Sequence, residues 1–328
     1  MKVVRFYEEG GPEVLKLEDL PEPEPGDGQV KVRIDVAGVS FADVQQRGGH
    51  YRVKPPLPAV LGRSMVGTVV AAGPGVDASA VGKQYIGSSL TGAYAQFGLA
   101  SFAALEAVPE GIDPIAAFSI LAEAEVAGMV LKVSGRLQPG ESVFVPAATG
   151  GIGYLAVQLA LLYGAGRVLG GASSEAKRQQ VAELGAIPID YTKEGWPQEV
   201  IAQNGGKGVD LALEVIGGQS VYDTIEATRS GGRIVNYGNI TDTNAPVNPR
   251  TLLSRNLTLT GYFRGNTMQD GLWPEERKAL NEEIRNFIIS GKLKPMIGGT
   301  FKLEEAAQAH EALEQRQTTG KVLLLPNS

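Results

Sequence analysis

The stretch VPAATGGIG, residues 145–153, is almost free of side chains at its centre and leads directly into an apolar segment, YLAVQLALLYGA. Set on the spacing G-x-G-x-x-G, Ala148, Gly150 and Gly153 take the three small positions, with Thr149, Gly151 and Ile152 between them. The first position serves a tight turn, the second lets the backbone approach a pyrophosphate, and the third lets helix and strand pack closely. A helix starting here aims free N–H groups and the positive end of its dipole at phosphate. The chemistry open to this stretch is to hold a dinucleotide.

The choice of dinucleotide rests roughly 20 residues further on, where an acidic side chain would hold the ribose 2′-hydroxyl of NAD. GGASSEAKRQQ stands there instead, with Glu175 the only nearby acid. Ser173 and Ser174 can hydrogen-bond, and Lys177 and Arg178 can neutralise a 2′-phosphate. One helical turn brings Ser173 and Lys177 together, which favours NADPH. The same residues would also make an ordinary solvated start to a helix.

A dinucleotide turn needs a strand before it and a helix after it, and the surrounding sequence supplies both. From about Ser142 the pattern alternates: strands near SVFVPA, RVLGGA, IPIDY, VDLALEV and GRIVNYG, and helices near 152–163, 175–184, 196–204 and 219–228. Such alternation predicts parallel crossover units in a doubly wound sheet, with LTLTGYF as a last strand at its edge. The first third reads as short extended segments broken by Gly and Pro, among them KVVRFY, QVKVRIDVAGVS and SMVGTVVAAGPG. The tail carries two helical patterns and a final strand. The expected architecture is α/β: a β-rich domain made from both ends of the chain, residues 1–118 with 264–328, and a nucleotide domain over 119–263 inserted between them.

The chain has 328 residues, 43% of them hydrophobic and 20% charged, enough for two cores. A formal net charge of -6 offers no general attraction to nucleic acid or to an anionic membrane. Cysteine is absent, which excludes disulfides, thiolate catalysis and every cysteine-built zinc site. The start, MKVVRFYEEGGPEVLKL, lacks the pattern of a secretion signal, and no later run reads as a membrane span, so a soluble cytoplasmic protein is expected.

GVSFADVQQRGGHY at 38–51, AATGGIG at 147–153, AKRQQVAELGAIPIDY at 176–191, GGRIVNYGN at 231–239 and TTGKVLLLP at 318–326 together resemble one family across essentially the whole chain. It is the zinc-independent quinone oxidoreductase and ζ-crystallin group of the medium-chain dehydrogenase/reductases. The resemblance implies a Rossmann domain inserted into a GroES-like catalytic domain, NADPH as cofactor, a small quinone or enone substrate, and a homodimer paired through the edge strands around NLTLTGYF. Zinc-dependent members of the superfamily carry Gly-His-Glu where this chain has Gly62-Arg63-Ser64, so no metal is expected.

The same resemblance assigns site residues. Tyr51 corresponds to a tyrosine of related enoyl-thioester reductases, whose hydroxyl would stabilise an oxyanion and donate a proton; a half-buried loop anchor is the other reading of it. Ser40 stands where relatives carry Asn near the nicotinamide. Val126-Ala127, after Glu123 and Glu125, replaces a Thr-Ala pair expected at the start of the helix before the nucleotide domain. Tyr191 would flank the adenosine, Tyr237, Gly238 and Asn239 would border the cofactor at the strand ends, Phe263 would approach the nicotinamide, and Arg316 the 2′-phosphate. Asp43 reads as a hydrogen-bond acceptor, His50 as a solvent-facing loop residue and His310 as structural. Three activities stay open: an NADPH-dependent quinone or enone reductase, a non-catalytic NADPH-binding protein, and an enoyl-thioester reductase. The last would need a basic groove for a phosphopantetheine chain, for which only Arg47, Arg52 and Lys54 are at hand.

Overall fold

The computed structural model describes residues 1–328 other than Arg52, Pro109 and Asp242. Eight strands come first: β1 (Lys2–Phe6), β2 (Lys16–Asp19), β3 (Gln29–Val39), β4 (Ala59–Val60), β5 (Ser64–Ala72), β6 (Gln84–Ser88), β7 (Phe97–Ser101) and β8 (Glu106–Ala107). The short helix α1 (Phe41–Arg47) interrupts them, and α2 (Pro114–Gly128) follows, prolonged by a π-helical turn over Met129–Ser134.

The alternating part then runs β9 (Ser142–Val145), α3 (Gly153–Leu162), β10 (Arg167–Gly171), α4 (Glu175–Glu183), β11 (Ile187–Ile189), α5 (Trp196–Gln203), β12 (Val209–Glu214), α6 (Gln219–Ala227) and β13 (Thr228–Asn236). It continues through α7 (Pro249–Arg255), β14 (Thr258–Gly261), α8 (Arg264–Gln269) and α9 (Pro274–Ile289). The chain closes with β15 (Ile297–Lys302), α10 (Ala306–Glu314) and β16 (Lys321–Leu325).

The chain divides into two compact units, residues 1–122 with 294–328, and residues 123–293. The inner boundary therefore differs from the expected 264: α8 and α9 group with the nucleotide unit. The reason is a buried carboxylate. Glu125, in the last turn of α2, meets Arg264 at 3.3 Å, Arg277 at 3.3 Å and Asn281 at 3.1 Å, and a desolvated charge must keep such partners. Burial raises the pKa of its carboxyl, but Arg264, Asn281 and Arg277 outweigh that and hold it below the ordinary range. α2 begins at Pro114, so Val126 lies near its end rather than its start; the run from Pro114 has no helix breaker before Gly128.

The helical run Pro114–Ser134, with a mean hydropathy of 1.6 over its most apolar stretch, is long and apolar enough by length and composition to cross a membrane, against the sequence expectation. Seventy-one per cent of that stretch is buried inside the fold, as in a core helix.

In the first unit β15-β16-β3-β5-β6-β8 form one sheet with β7 also on β3, and β2-β1-β4 form a second. β16 lies antiparallel to β3, so both ends of the chain build this unit. Its core gathers Phe6, Val32, Ile34, Met65, Val69 and Tyr94 beneath α10 residues Ala306 and Ala309. In the second unit every strand pair is parallel, in the order β11-β10-β9-β12-β13-β14. The chain winds outward both ways from the neighbours β9 and β12, and β14 is the edge, as its sequence predicts. Residues 153–160 of α3 are buried throughout, which explains why that helix is apolar all round.

Candidate functional site

The carboxyl ends of β9 and β12 mark the point where strand order reverses, the place where doubly wound sheets bind ligands. The chain leaves β9 through residues 146–152 and enters α3 at Gly153. A side chain at Gly153 would put its Cβ 2.1 Å from the Ala147 carbonyl oxygen, so only glycine lets helix and strand meet there. A Cβ at Gly150 would lie 3.2 Å from that oxygen, which is tight but less severe. Among the described residues no side chain caps α3, where Ile152 holds the cap position, an arrangement that suits an anion acceptor.

Within the turn the two alanines divide the work. Ala147, with φ of 46°, takes the left-handed conformation. Ala148 instead is buried, donates its N–H to the Gly171 carbonyl at 2.9 Å, and packs where Gly170 has no side chain. It closes the contact between β9 and β10. Thr149 is buried, while Gly150, Gly151 and Ile152 are partly exposed.

At the end of β10, Ser174 caps α4 by accepting the Lys177 N–H at 3.4 Å. Ser173 and Lys177 lie half-buried beside it. Arg178 is engaged elsewhere: Nη2 lies 2.7 Å from Glu175 and Nη1 2.8 Å from Asp190. Its expected availability to a 2′-phosphate is thereby reduced. Asp190 was not foreseen, because its partner comes from a different element. The Thr192 hydroxyl, against the effect of burial, and then the Arg178 guanidinium hold its carboxyl below the usual range.

Tyr191 packs against the Phe144, Leu169 and Trp196 core, and its ring fills the space left by Gly171. Phe144 and Trp196 stack at 4.9 Å. Tyr237, Gly238 and Asn239 leave the end of β13, with Gly238 placed close under Val215. Tyr237 donates its N–H to the Glu214 carbonyl at 2.9 Å. Burial and then the Glu214 carboxylate raise its phenol above the ordinary range, so it stays protonated. Asn239 is exposed and its side-chain oxygen accepts from Thr241 at 3.4 Å. Phe263 stands at 36% exposure just before α8.

Glu214, fully buried at the end of β12, also escaped sequence reasoning. Its carboxylate accepts from Ile216 and Gly217 N–H at 2.8 and 2.7 Å and from Ser220 and Thr224 hydroxyls at 3.0 and 2.8 Å. It shapes the loop into α6 at the strand-order reversal. The signal was a second acid, after Asp210, at the end of the otherwise apolar run VDLALEV.

Ser40, Tyr51 and Arg316 belong to the other unit. Ser40 caps α1 in a reciprocal box: its N–H and Oγ donate to Asp43 Oδ2 at 2.8 and 2.6 Å. Asp43 Oδ1 also accepts from Gly62 N–H at 3.3 Å, the acceptor role its sequence predicts. Tyr51 follows the turn closing α1, its N–H on the Gln45 carbonyl at 3.1 Å. Burial raises its hydroxyl, against Arg63, with Asp43 adding to the rise, so the phenol is a protonated donor at neutral pH. Arg316 is exposed with φ of 56°, just past the end of α10.

His50 is exposed and His310 fully buried. Arg47, expected as one cation of a basic groove, is also buried: Nε donates to the Gly10 carbonyl at 3.0 Å, Nη2 pairs with Glu314 at 2.6 Å, and Nη1 lies 3.3 Å from His310 Nδ1. Lys54 pairs with Glu9 at 2.7 Å, and Arg52 lies outside the described residues. Arg47 is thereby unavailable to a groove for a phosphopantetheine chain.

Residues 26–111 match the family model described as an alcohol dehydrogenase GroES-like domain, and residues 151–283 the one described as a zinc-binding dehydrogenase. The rat quinone oxidoreductase is 31% identical over 99% of this chain and 98% of its own. The Escherichia coli quinone oxidoreductase, solved in complex with NADPH, superposes with a TM-score of 0.90 at 27% identity, covering 99% of this chain and all of the other. A structure described as an NAD-dependent alcohol dehydrogenase gives a TM-score of 0.87 at 32% identity, covering both chains fully. The fold and the dinucleotide turn are those of the medium-chain dehydrogenase/reductases, and the chain belongs to their quinone oxidoreductase and ζ-crystallin group.

The donor set does not fit the zinc named by one of those models. The sequence has no cysteine, His310 is held between Tyr94 and Arg47, and among the described residues no three His, Asp or Glu side chains converge as ligands.

Proposed function

We propose that the protein is an NADPH-dependent reductase of quinones or other α,β-unsaturated carbonyl compounds, working without zinc. The observation that carries this reading is the uncapped start of α3 behind a turn that only Gly153 permits, beside a β10 end that offers Ser173 and Lys177 in place of an acid. The NADPH bound to the Escherichia coli relative supports it. The backbone of residues 148–153 would hold the pyrophosphate, and Ser173 and Lys177 the 2′-phosphate. Tyr191 would lie by the adenosine, and Tyr237, Gly238, Asn239 and Phe263 would border the cofactor. Ser40 and Arg316 complete the set assigned to it. NADPH, when bound, supplies the hydride. The chain has to align the acceptor, exclude water and deliver a proton, which falls to the Tyr51 hydroxyl.

The direct test follows NADPH oxidation by chelator-treated protein against a panel of quinones, enones and enoyl thioesters. Turnover of quinones or enones is the expected result. Silence across the panel would leave an NADPH-binding protein without catalysis, and recovery only on adding zinc would overturn the metal-free mechanism.

NADPH should bind at least about tenfold more tightly than NADH, a gap that one charge-assisted phosphate contact supplies. Lys177→Ala should remove most of that gap; equal affinities in the parent protein would count against the role given to Ser173 and Lys177.

We also infer a homodimer formed by pairing β14 with its copy. Among the described residues no strand lies beside its outer backbone groups, and an apolar edge of this kind needs cover. A charge or proline at Thr258 or Thr260 should give monomers in sedimentation, and a monomeric parent would end the proposal.

A further inference from the structure

The end of β10 carries two cations one residue apart, Lys177 and Arg178, yet the fold treats them differently. Lys177 sits in the first turn of α4, its backbone held by the Ser174 cap. Arg178 is drawn toward the end of β11, where Asp190 is 8% exposed and Glu175 lies on the solvent side. Its contact with Asp190 is close without being well aligned. Nη1 lies 2.8 Å from the carboxylate and is buried, but among the described residues its N–H groups find no well-aligned hydrogen-bond acceptor. The guanidinium is therefore held between two carboxylates, with its Nη1 closed off from solvent. A phosphate would have to draw the guanidinium away from Asp190, and guanidinium suits that exchange because it binds tetrahedral oxyanions through paired N–H donors.

We propose that Asp190 sets the strength of coenzyme discrimination by withholding Arg178 from the 2′-phosphate. Asp190 and the phosphate compete for one guanidinium, with Glu175 as a weaker, solvent-screened second holder. This rests on the coenzyme reading above and goes beyond it: Lys177 supplies the preference of the parent protein, and Arg178 is a reserve donor whose release would enlarge it. Asp190 is a positioning residue. It acts through Arg178 and need not touch the coenzyme.

The test is calorimetric binding of NADPH and NADH, with no acceptor present, to the parent, Asp190→Asn, Arg178→Ala and the double variant. Asn keeps an acceptor for the Thr192 N–H and hydroxyl that Asp190 now receives at 3.2 and 2.6 Å, so the loop retains its shape. Asp190→Asn should raise the ratio Kd(NADH)/Kd(NADPH) by about tenfold, one charge-assisted contact. Arg178→Ala alone should shift the ratio less than about twofold, and in the double variant it should cancel the whole gain, a coupling that independent sites would not show. Glu175→Gln, at an exposed position, should give a smaller rise of the same sign and serves if Asp190→Asn folds poorly. Damage to the fold would weaken both coenzymes alike and leave the ratio in place. A parent that prefers NADPH, together with an unchanged ratio in Asp190→Asn and Glu175→Gln, overturns the inference alone. A large loss of preference in Arg178→Ala also overturns it, since Arg178 would then already hold the phosphate. A parent that binds neither coenzyme removes the reading beneath it as well.

Discussion

Tyr51→Phe should lower kcat by roughly tenfold to a thousandfold while leaving NADPH affinity nearly unchanged, the range spanned by single proton-transfer and oxyanion donors. Hydride arriving at a conjugated carbonyl leaves charge on the substrate oxygen, and a donor that meets this charge lowers the barrier only if it binds the transition state better than the ground state. The phenol suits that task because burial, against Arg63, keeps it protonated past the ordinary range. No ionisation of Tyr51 should therefore shape the rate at neutral pH. The loss should depend on the acceptor. An enone leaves an enolate that requires a proton, whereas a reactive quinone leaves an anion stabilised by its own ring and open to protonation by water. Rates compared at saturating NADPH for both classes decide the matter, and a Tyr51→Phe protein as fast as the parent on every accepted substrate would reduce Tyr51 to a loop anchor.

Acid should destabilise the first unit steeply, with His310 the largest single cause. Arg47 has donors only, so His310 Nδ1 must accept, and the neutral ring then donates through Nε2 to the Tyr94 hydroxyl at 2.9 Å. Burial first and the Arg47 charge second lower the His310 pKa from 6.5 to about 3. A group whose pKa is depressed in the folded state stabilises the fold above its unfolded pKa and loses that contribution as pH falls toward the folded value. Between pH 6.5 and about 3 the unfolded chain takes up a proton that the folded one refuses, worth about 4 kcal/mol across the window. That is comparable to much of the stability of a domain. Glu125, Asp190 and Asp210 are held low and give the second unit a dependence of the same sign, while Asp43, raised chiefly by burial, opposes His310 within the first. The difference between the parent and His310→Gln isolates the histidine. His310→Gln should be less stable at pH 7 but lose markedly less between pH 6.5 and pH 4 in urea melts. By proton resonance the ring should not titrate above pH 4, with His50→Gln used for assignment. Equal acid slopes in the two proteins would refute this account.

The dinucleotide turn, the crossover units and their helices were legible in sequence because each depends on neighbours a few residues away. VPAATGGIG declares a backbone that must come close to something, and alternation of apolar strands with helical segments suffices to predict a parallel sheet. Even there the sequence did not single out Ala147 as the left-handed residue, since the detailed path of a turn depends on what packs beneath it. The end of the nucleotide unit was not legible either: Glu125 draws Arg264, Arg277 and Asn281 to it over more than a hundred residues of chain.

By itself the sequence determined the absence of cysteine chemistry, the dinucleotide turn, the strand and helix rhythm of the second unit, and the return of the chain's tail to its beginning. These follow from composition and from local spacing, where side-chain type alone limits the backbone. Only the tertiary structure decided which charges are in use. Arg47 and His310 lie 263 residues apart, and His310 and Tyr94 216 apart; nothing near any of the three announces that they share one buried network. Arg178 and Lys177 are neighbours of equal charge, and only the meeting of α4 with β11 turns one toward Asp190. Burial removes water as the default partner, so a polar group must take whichever partner the packing brings, and that choice is made by residues distant in the chain.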